Sequence, residues 1–298
     1  GMQELENFIS RCNGKLLDVR NKRVRPLTGD KILLGWNALL VTAFCKAYAA
    51  TGIVKYKDEA VELFDFINRA FAAGEENKFW HTYKNNTARY PAFLDDYAYL
   101  IQACLYLHEI SSGLHYLEVA RNLTQYVLDH FEDGETGFFY FTHIEQNDVI
   151  TRKMDVHDGA TPSGNSVMAG NLYYLSVIFE KREWFDRAQR TTLQLADTVM
   201  KYPTSFAVWA SEILKQVMGI NEIIVTGTDF ETIYKEMLRL YLPNKVLQAQ
   251  SSEIPGFPLL KGKDFSSGSC IYLCRDYTCK GPVYTVSELL TLLKKPAY

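Results

Sequence analysis

Polar and ionisable side chains cluster in one short stretch of the chain. DVHDGATPSGNS, at residues 155–166, leads directly into an apolar run with helical spacing. His157 could act as a general acid or base near neutral pH, and Asp158 could supply a catalytic carboxylate. The stretch ends in side chains that commonly cap helix N-termini and could also contact a substrate, namely Ser163, Asn165 and Ser166. We therefore predict a loop that brings polar groups to the start of a helix.

Asp95 and Asp96 open another predicted helix and are further candidate catalytic residues. Neighbouring residues on a helix point about 100° apart, so one carboxylate would face a ligand while the other caps the helix. An epimerase needs an acid–base pair, to which His157 could contribute, to remove and return a proton beside a carbonyl. A glycosidase needs two carboxylates across the scissile bond, such as Asp95 or Asp96 against Asp158. The sequence leaves both reactions open.

Other side chains near the predicted helix starts are candidate substrate contacts. Aromatic faces stack on sugar rings because the axial C–H bonds of the sugar are apolar. A basic residue such as Arg25 could bind a carboxylate, or it could cap the end of a neighbouring segment. The candidate substrate-binding residues outside the 155–166 stretch are Arg25, Trp36, Asn37, His81 and Tyr97. The structural alternative is that loop aromatics cover a hairpin and that the polar residues only cap helices.

Apolar residues at helical spacing predict that the chain before residue 219 is mainly α-helical. In GWNALLVTAFCKAYAATG, apolar residues recur three and four positions apart, and Gly52 ends the run. The same spacing predicts helices at about residues 5–20, 36–51, 56–71, 94–110, 114–131, 166–180, 184–200 and 205–218.

The links between these helices alternate between short and long. The long links contain the strand-like segments FWHTY, 79–83, and GFFYFTHI, 137–144, each followed by a polar turn, so each predicts a β-hairpin. If the helices pair antiparallel, every second one begins on the same face, beside the long links; these helices start near Trp36, Asp95, Ser166 and Ser205. This arrangement predicts a mainly α fold, a partial (α/α)6 toroid of about four helical hairpins whose inner helix N-termini ring a mouth.

The C-terminal part of the chain alternates strand-like and helical segments instead. Strands are predicted at 221–227, 244–250 and 269–276, and helices at 229–241 and 286–295. We therefore predict a small α/β unit, so that the chain divides into a toroid-type helical domain, 2–219, and an α/β region, 220–298.

Composition and charge argue against several classes of function. The net charge of −3 and the lack of a basic run argue against nucleic-acid binding. No apolar stretch reaches the length of a membrane span, so no membrane partner is expected. The six cysteines form no CxxC or zinc-type spacing, and we predict reduced cysteines, a cytoplasmic location, and no metal or cofactor.

Four motifs, in order, resemble the C-terminal part of a known protein family. They are RVRPLTGDKILLGWNALL, PAFLDDYAYLIQACLYLHE, DGATPSGNSVMAGNLYYL and YLCRDYTCKGPV, and the resemblance extends from Lys22 to the end of the chain. The family is that of the spermatogenesis-associated proteins, which join a thioredoxin-like domain to an (α/α)6 toroid. That toroid is similar to N-acylglucosamine 2-epimerases and six-hairpin glycosidases. The resemblance implies a toroid fold and a small-molecule carbohydrate as ligand.

The chain departs from the family pattern in three respects. It lacks the thioredoxin-like domain, and its predicted helices are too few to close a toroid. Asn37-Ala38 also stands where the family more often has Asn-Gly. These departures imply a partner, either a thioredoxin-like domain or a missing N-terminal toroid segment. They also imply an exposed apolar flank through which the chain could form a homo-oligomer.

Three hypotheses about function follow. The first is a carbohydrate-active toroid, which would be an epimerase, an isomerase or a glycosidase. The second is a noncatalytic sugar- or peptide-binding scaffold that works with a thioredoxin-like domain. The third is an incomplete remnant that self-associates. Ligand binding with turnover supports the first, binding without turnover supports the second, and oligomerisation without a ligand supports the third.

Overall fold

The chain forms two compact units. A computed structural model describes residues 1–26, 29–266, 268–275 and 278–294. The first unit, Gly1–Lys31, contains the helix α1 (Met2–Asn21), which has no buried residue. The second unit, Ile32–Tyr298, contains the remaining helices and both sheets.

The described part of the second unit before residue 219 contains seven α-helices. They are α2 (Leu34–Thr51), α3 (Val54–Ala70), α4 (Leu94–Ser111), α5 (Leu114–Phe131), α6 (Gly164–Phe179), α7 (Arg182–Lys201) and α8 (Ala207–Met218). Together with α1, they confirm all the helices predicted for this part of the chain. Two of the short links begin at residues with positive φ, Gly52 and Ser112, which end α2 and α4 in the left-handed conformation.

These helices form an inner row and an outer row. Helix α4 packs against α2, α5 and α6, and α6 packs against α7 and α8. Helices α4 and α6 bury most of their residues, whereas α3, α5 and α7 bury only one apolar face. The inner row is therefore α2, α4, α6 and α8, and the outer row is α3, α5 and α7. This is the architecture of a partial α/α toroid.

The first predicted β-hairpin is present and lies beside the start of α2. Strands β1 (Ile32–Leu33), β2 (Trp80–Lys84) and β3 (Thr87–Pro91) form an antiparallel sheet in that order. Asn85 and Asn86 connect β2 to β3 with φ angles of 49° and 58°, the left-handed conformation of a tight two-residue hairpin turn. Because β1 leads directly into α2, this sheet places the starts of α2 and α4 next to each other.

The second predicted hairpin, around residues 137–144, is not formed. The described residues there show one isolated bridge, between Glu132 and Phe139, and no strand pair. Scattered backbone groups and side chains replace the missing strand partner. Asn165, for example, both accepts from and donates to the backbone of Phe139, at 2.8 and 2.9 Å. Arg152 likewise donates to the carbonyl of Thr142. The segment satisfies its backbone without a ladder, which is why its apolar pattern was misleading.

The C-terminal part is the predicted small α/β unit. It contains β4 (Asn221–Thr226), α9 (Phe230–Leu238), β5 (Lys245–Gln250), β6 (Cys270–Arg275), β7 (Thr278–Val283) and α10 (Val286–Leu293). The strand order is β5-β4-β6-β7, and only β4 and β5 are parallel. The predicted ends at Asp276 and Lys295 lie outside the described residues. Helix α9 ends three residues before the predicted Tyr241, and edge strand β7, which contains Gly281 and Pro282, was not predicted.

The C-terminal sheet shares a hydrophobic core with the helices. Ile224 of β4 and Val246 of β5 belong to the same buried cluster as Leu107 of α4 and Leu175 of α6. The imidazole of His108 also lies 3.2 Å from the carbonyl oxygen of Leu247. The predicted boundary at residues 219 and 220 stays a prediction, since the division into compact units falls at Lys31 instead.

Cys274 and Cys279 form a disulfide between β6 and β7. The two residues are directly opposite each other in the antiparallel register. This pair differs from the prediction that the cysteines are reduced, because their sequence spacing did not indicate that two strands align them. Within the described residues, no helix combines the length and apolarity needed to cross a membrane.

Candidate active site

Asp96 joins the start of α4 to the start of α2. Its Oδ1 atom accepts a hydrogen bond from the backbone N–H of Gly35 at 2.8 Å, and its Oδ2 atom accepts one from Phe93 at 2.8 Å. A Cβ atom at position 35 would lie 2.9 Å from the Asp96 Oδ1 atom, so glycine permits this close approach. Asp96 is 2% exposed, which makes it a buried capping and positioning group.

Asp95 joins the start of α4 to the start of α6. Its Oδ1 atom accepts a hydrogen bond from the backbone N–H of Gly164 at 2.8 Å. A Cβ atom at position 164 would lie 2.5 Å from that oxygen and 2.9 Å from the Cγ atom of Leu94, so glycine is needed here too. Among the described residues, no hydrogen bond reaches the Oδ2 atom of Asp95. One carboxylate oxygen is therefore left for another partner.

Asp158 joins the start of α6 to the start of α8. Its Oδ1 atom accepts from the backbone N–H of Ser163 at 3.0 Å and from the hydroxyl of Ser166 at 2.8 Å. Its Oδ2 atom accepts from the backbone N–H of Val208 at 2.9 Å. Both carboxylate oxygens therefore cap helices.

Together, these three aspartates tie the N-termini of the inner helices into one rim. Asp96 connects α4 to α2, Asp95 connects α4 to α6, and Asp158 connects α6 to α8. Helix N-termini carry free N–H groups and a partial positive charge, so the rim suits carboxylates and other hydrogen-bond acceptors. The predicted ring of inner helix starts is present in the structure.

His81 lies on β2 and is held by Asp96. Its Nδ1 atom is 2.8 Å from the Oδ2 atom of Asp96, and its ring packs on Phe93 with centroids 4.8 Å apart. A carboxylate can only accept, so Nδ1 donates, and Nε2 of the neutral ring is left as an acceptor. The side chain is 26% exposed. This geometry fixes the orientation of the His81 ring and leaves its Nε2 atom available to a further partner.

The pKa of Asp95 is raised from 3.8 to about 6. Burial is the main cause, and the negative charges of Asp96 and Asp155 add to it. The hydrogen bond from Gly164 and the charge of His81 act in the opposite direction. A carboxyl group that titrates near neutral pH can both accept and donate a proton, as acid–base catalysis requires.

Two exposed aromatic side chains flank these groups. Trp36, directly after Gly35 in α2, is 65% exposed. Tyr90 is 56% exposed. It lies opposite His81, because the residues on either side are paired, Trp80 with Pro91 and Thr82 with Arg89. Tyr90 has a φ of 62°, a strained conformation for a bulky residue and one that often marks functional sites. No feature of the sequence indicates that strain.

His157 lies on the rim loop, but its ring makes only an aromatic contact. The ring meets Phe206 edge-on with centroids 5.6 Å apart, and the side chain is exposed. Its backbone N–H donates to the Oδ1 atom of Asp155 at 3.1 Å. His157 therefore lies at the mouth without a partner that orients its ring among the described residues.

The other predicted substrate contacts make hydrogen bonds within the protein. Tyr97 is 2% exposed, and its hydroxyl accepts from the backbone N–H of Phe79, so it belongs to the core. Asn37 donates to the carbonyl of Leu33. Ser163 caps α6, Ser166 bonds Asp158, and Asn165 bonds Phe139; all three are buried. Arg25 lies in the first unit, where it donates to Asn21.

Two aromatic residues that support the rim loop were not among the predicted site residues. The hydroxyl of Tyr99 donates to the carbonyl of Pro162, and the indole N–H of Trp209 donates to the carbonyl of Val156 at 2.8 Å. Tyr99 follows Asp95 and Asp96 by one helical turn, so its helical spacing was a usable signal. The described residues contain no cluster of His, Cys, Asp or Glu that could hold a metal ion.

Sequence comparison with curated proteins finds proteins that are similar to this chain. The human protein named spermatogenesis-associated protein 20 is 26% identical over 302 residues, covering 94% of this chain and 38% of its own length. This chain is similar to spermatogenesis-associated protein 20. An uncharacterised Caenorhabditis elegans protein is 27% identical over 98% of this chain and 42% of its own length. The chain thus spans about two fifths of the length of the curated relatives it matches.

Solved structures show partial likeness to this chain. A GH76 α-mannanase of Bacteroides thetaiotaomicron has a TM-score of 0.46 and 13% identity, covering 59% of this chain and 46% of its own. A cellobiose 2-epimerase of Spirochaeta thermophila has a TM-score of 0.45 and 13% identity, covering 56% of this chain and 43% of its own. No protein-family model matches the chain.

Proposed function

We propose that the rim is a carbohydrate-active site in which Asp95 and His81 form the acid–base pair. The observation that carries this proposal is the difference between the three rim aspartates. Asp96 and Asp158 use both carboxylate oxygens in hydrogen bonds, whereas Asp95 keeps one oxygen without a partner among the described residues and has a pKa of about 6. Asp95 is therefore the rim aspartate best suited to exchange protons with a substrate.

The proposed reaction is epimerisation or isomerisation of a reducing sugar in its open-chain form. His81 Nε2 removes the proton from the carbon next to the carbonyl, which gives an enediolate. Asp95 in its protonated form then returns a proton, to the same carbon in an epimerisation or to the former carbonyl carbon in an isomerisation. Asp96 is a positioning residue that holds His81 Nδ1 and so keeps Nε2 free. Trp36 and Tyr90 provide exposed faces on which a sugar ring can stack.

Glycoside hydrolysis is a second candidate, and Asp155 favours it. The charge of Asp155 raises the pKa of Asp95, so the two carboxyl groups interact, and Asp155 is exposed at the mouth. In this version Asp95 is the general acid and Asp155 activates water or attacks the sugar. Asp158 is less suited than Asp155, because three hydrogen bonds already occupy its oxygens.

The partners of this chain also remain proposals. One proposed partner is a thioredoxin-like domain or a further toroid segment. It is supported by the length of the curated relatives, of which this chain covers about two fifths. Self-association is another proposal, supported by exposed apolar side chains on α7 and α8, namely Leu193, Met200, Leu214, Val217 and Met218. Size-exclusion chromatography with light scattering tests it, and a monomer at all concentrations would count against it.

A sugar panel with product analysis tests the proposed function. Wild-type protein is incubated with reducing mono- and disaccharides, and products are identified by NMR, which separates epimers from hydrolysis products. The variants are Asp95→Asn and His81→Gln, and the matched control is Asp197→Asn, an exposed aspartate on α7. We expect turnover by wild type and control only. Sugar binding with no turnover even by the wild-type protein would favour the scaffold hypothesis instead.

A further inference from the structure

A second cavity lies at the other end of the inner helices. Its volume is about 760 Å³, which is in the range of small-molecule sites. Residues from α2, α4, α6 and α8 line it, and the segment after α9 adds to its wall. From Asp95 to Tyr106, which lines the cavity, α4 rises about 16 Å, at about 1.5 Å per residue. The cavity is therefore separate from the rim.

The cavity contains more positive than negative side chains. Lys245 pairs with Glu109 at 2.6 Å, and Lys215 pairs with Glu212 at 2.6 Å. Among the described residues, Lys46 has no carboxylate within ion-pair distance, and its ammonium lies 4.8 Å from the ring centroid of Tyr106. All five side chains line the same cavity. An anion placed there would meet an ammonium group that forms no ion pair among the described residues.

The surroundings of Lys46 favour an anionic ligand. Burial lowers the pKa of Lys46, the like charge of Lys215 lowers it further, and the charge of Glu109 acts in the opposite direction. Two ammonium groups that disfavour each other are both stabilised when an anion binds between or beside them. Tyr106 offers its ring as a flat apolar wall next to Lys46.

Glu212 adds a buried acceptor to the same cavity. It is 5% exposed, and its Oε1 atom accepts from Lys215. Its Oε2 atom is buried without a hydrogen-bond partner among the described residues. Leaving a buried carboxylate oxygen unpaired is costly, and a hydroxyl donor on a ligand would recover that cost. Gly170 makes room for this carboxylate, since a Cβ atom there would lie 2.8 Å from it.

We propose that this cavity binds a small hydroxylated organic anion, with its acidic group at Lys46 and a hydroxyl group at Glu212. Sugar acids and sugar phosphates share this chemistry. The ring or chain of the ligand lies along Tyr106. The site does not depend on the reaction proposed for the rim, because it uses none of the rim side chains.

Calorimetric titration with D-gluconate, D-glucose 6-phosphate and uncharged D-glucose tests the proposal. The key variant is Lys46→Met, which keeps the aliphatic chain and removes the charge. The matched control is Lys201→Met, because Lys201 also lies over a tyrosine ring, Tyr202, at 5.2 Å but outside the cavity. A second variant, Glu212→Gln, tests the hydroxyl contact while keeping the side-chain volume.

We expect one or both anions to bind more tightly than glucose. Lys46→Met should weaken that binding roughly ten- to hundredfold, and Lys201→Met should leave it unchanged. Preference for gluconate would identify a carboxylate ligand, and preference for glucose 6-phosphate would identify a phosphate ester. Equal affinity for glucose, equal affinity in Lys46→Met, or no binding of either anion would overturn the proposal. Because the readout is binding heat, a failure here is distinct from a lack of turnover at the rim.

Discussion

The pH dependence of folding stability provides a sharp test of the environment of Asp95. Burial and the charges of Asp96 and Asp155 raise its pKa from 3.8 to about 6. The folded protein therefore binds this proton more tightly than the unfolded chain does. The stabilising contribution is present at low pH and is lost as the pH rises from about 4 to about 6. Asp95→Asn removes this titration but keeps an oxygen that can accept from Gly164.

The magnitude follows from the size of the change in proton affinity. Each tenfold change in the proton affinity of the carboxyl group corresponds to about 1.4 kcal/mol. A pKa of about 6 in place of 3.8 therefore represents about 3 kcal/mol. Asp95 is partly exposed, and solvent screening reduces the effect, so we expect about 1–3 kcal/mol. The free energy of unfolding of Asp95→Asn, relative to wild type, should rise by this amount between about pH 4 and pH 7.

Urea denaturation followed by circular dichroism, in steps across this pH range, measures the difference. Titrating groups distant from Asp95 contribute equally to both proteins and cancel. The control, Asp197→Asn, changes an exposed aspartate on α7 and should give a flat difference. A flat difference for Asp95→Asn, or one that falls with rising pH, would refute the assignment of Asp95 as a carboxyl group with a raised pKa.

Three further predictions concern the rim. Gly164→Ala should lower the free energy of unfolding by about 1–3 kcal/mol because its Cβ atom would overlap Asp95, whereas Gly134→Ala, with open space around it, should be near neutral in the same urea titration. Asp158→Ala should cost about 2–4 kcal/mol by removing caps from α6 and α8, and a loss under about 0.5 kcal/mol would contradict this role. Tyr90→Gly should raise the melting temperature by relieving positive-φ strain, worth about 1 kcal/mol, yet weaken sugar binding; unchanged binding would remove Tyr90 from the site.

The helices could be predicted because their apolar spacing reflects burial that is local to each helix. In α4, residues such as Leu100, Ala103 and Leu107 are buried at three- and four-residue spacing. The same reasoning gave a wrong prediction for the segment around Phe139, where the expected hairpin is not formed. Its hydrogen bonds go to scattered positions, such as the carbonyl oxygens of Phe131 and Lys153 and the side chain of Asn165, and a local pattern carries no information about them.

The gathering of the inner helix starts could be predicted, but the hydrogen bonds that each aspartate makes there could not. Polar residues at helix starts indicated a shared rim, and the structure brings those starts together. One of Asp95 and Asp96 was expected to cap the helix that both open; Asp96 does so, but Asp95 caps α6 instead. The orientation of His81 depends on the β2–β3 register and on Asp96, and both are tertiary features.

The central claim is that Asp95 and His81 move protons on a bound sugar. Incubating the protein with reducing sugars in D₂O, and following the hydrogen next to the carbonyl by proton NMR, tests it most directly. We expect exchange by wild type and by Asp197→Asn, with a loss of at least about a hundredfold in His81→Gln and in Asp95→Asn. Exchange in His81→Gln at the wild-type rate, or no exchange by wild type with any sugar that binds, would contradict the claim.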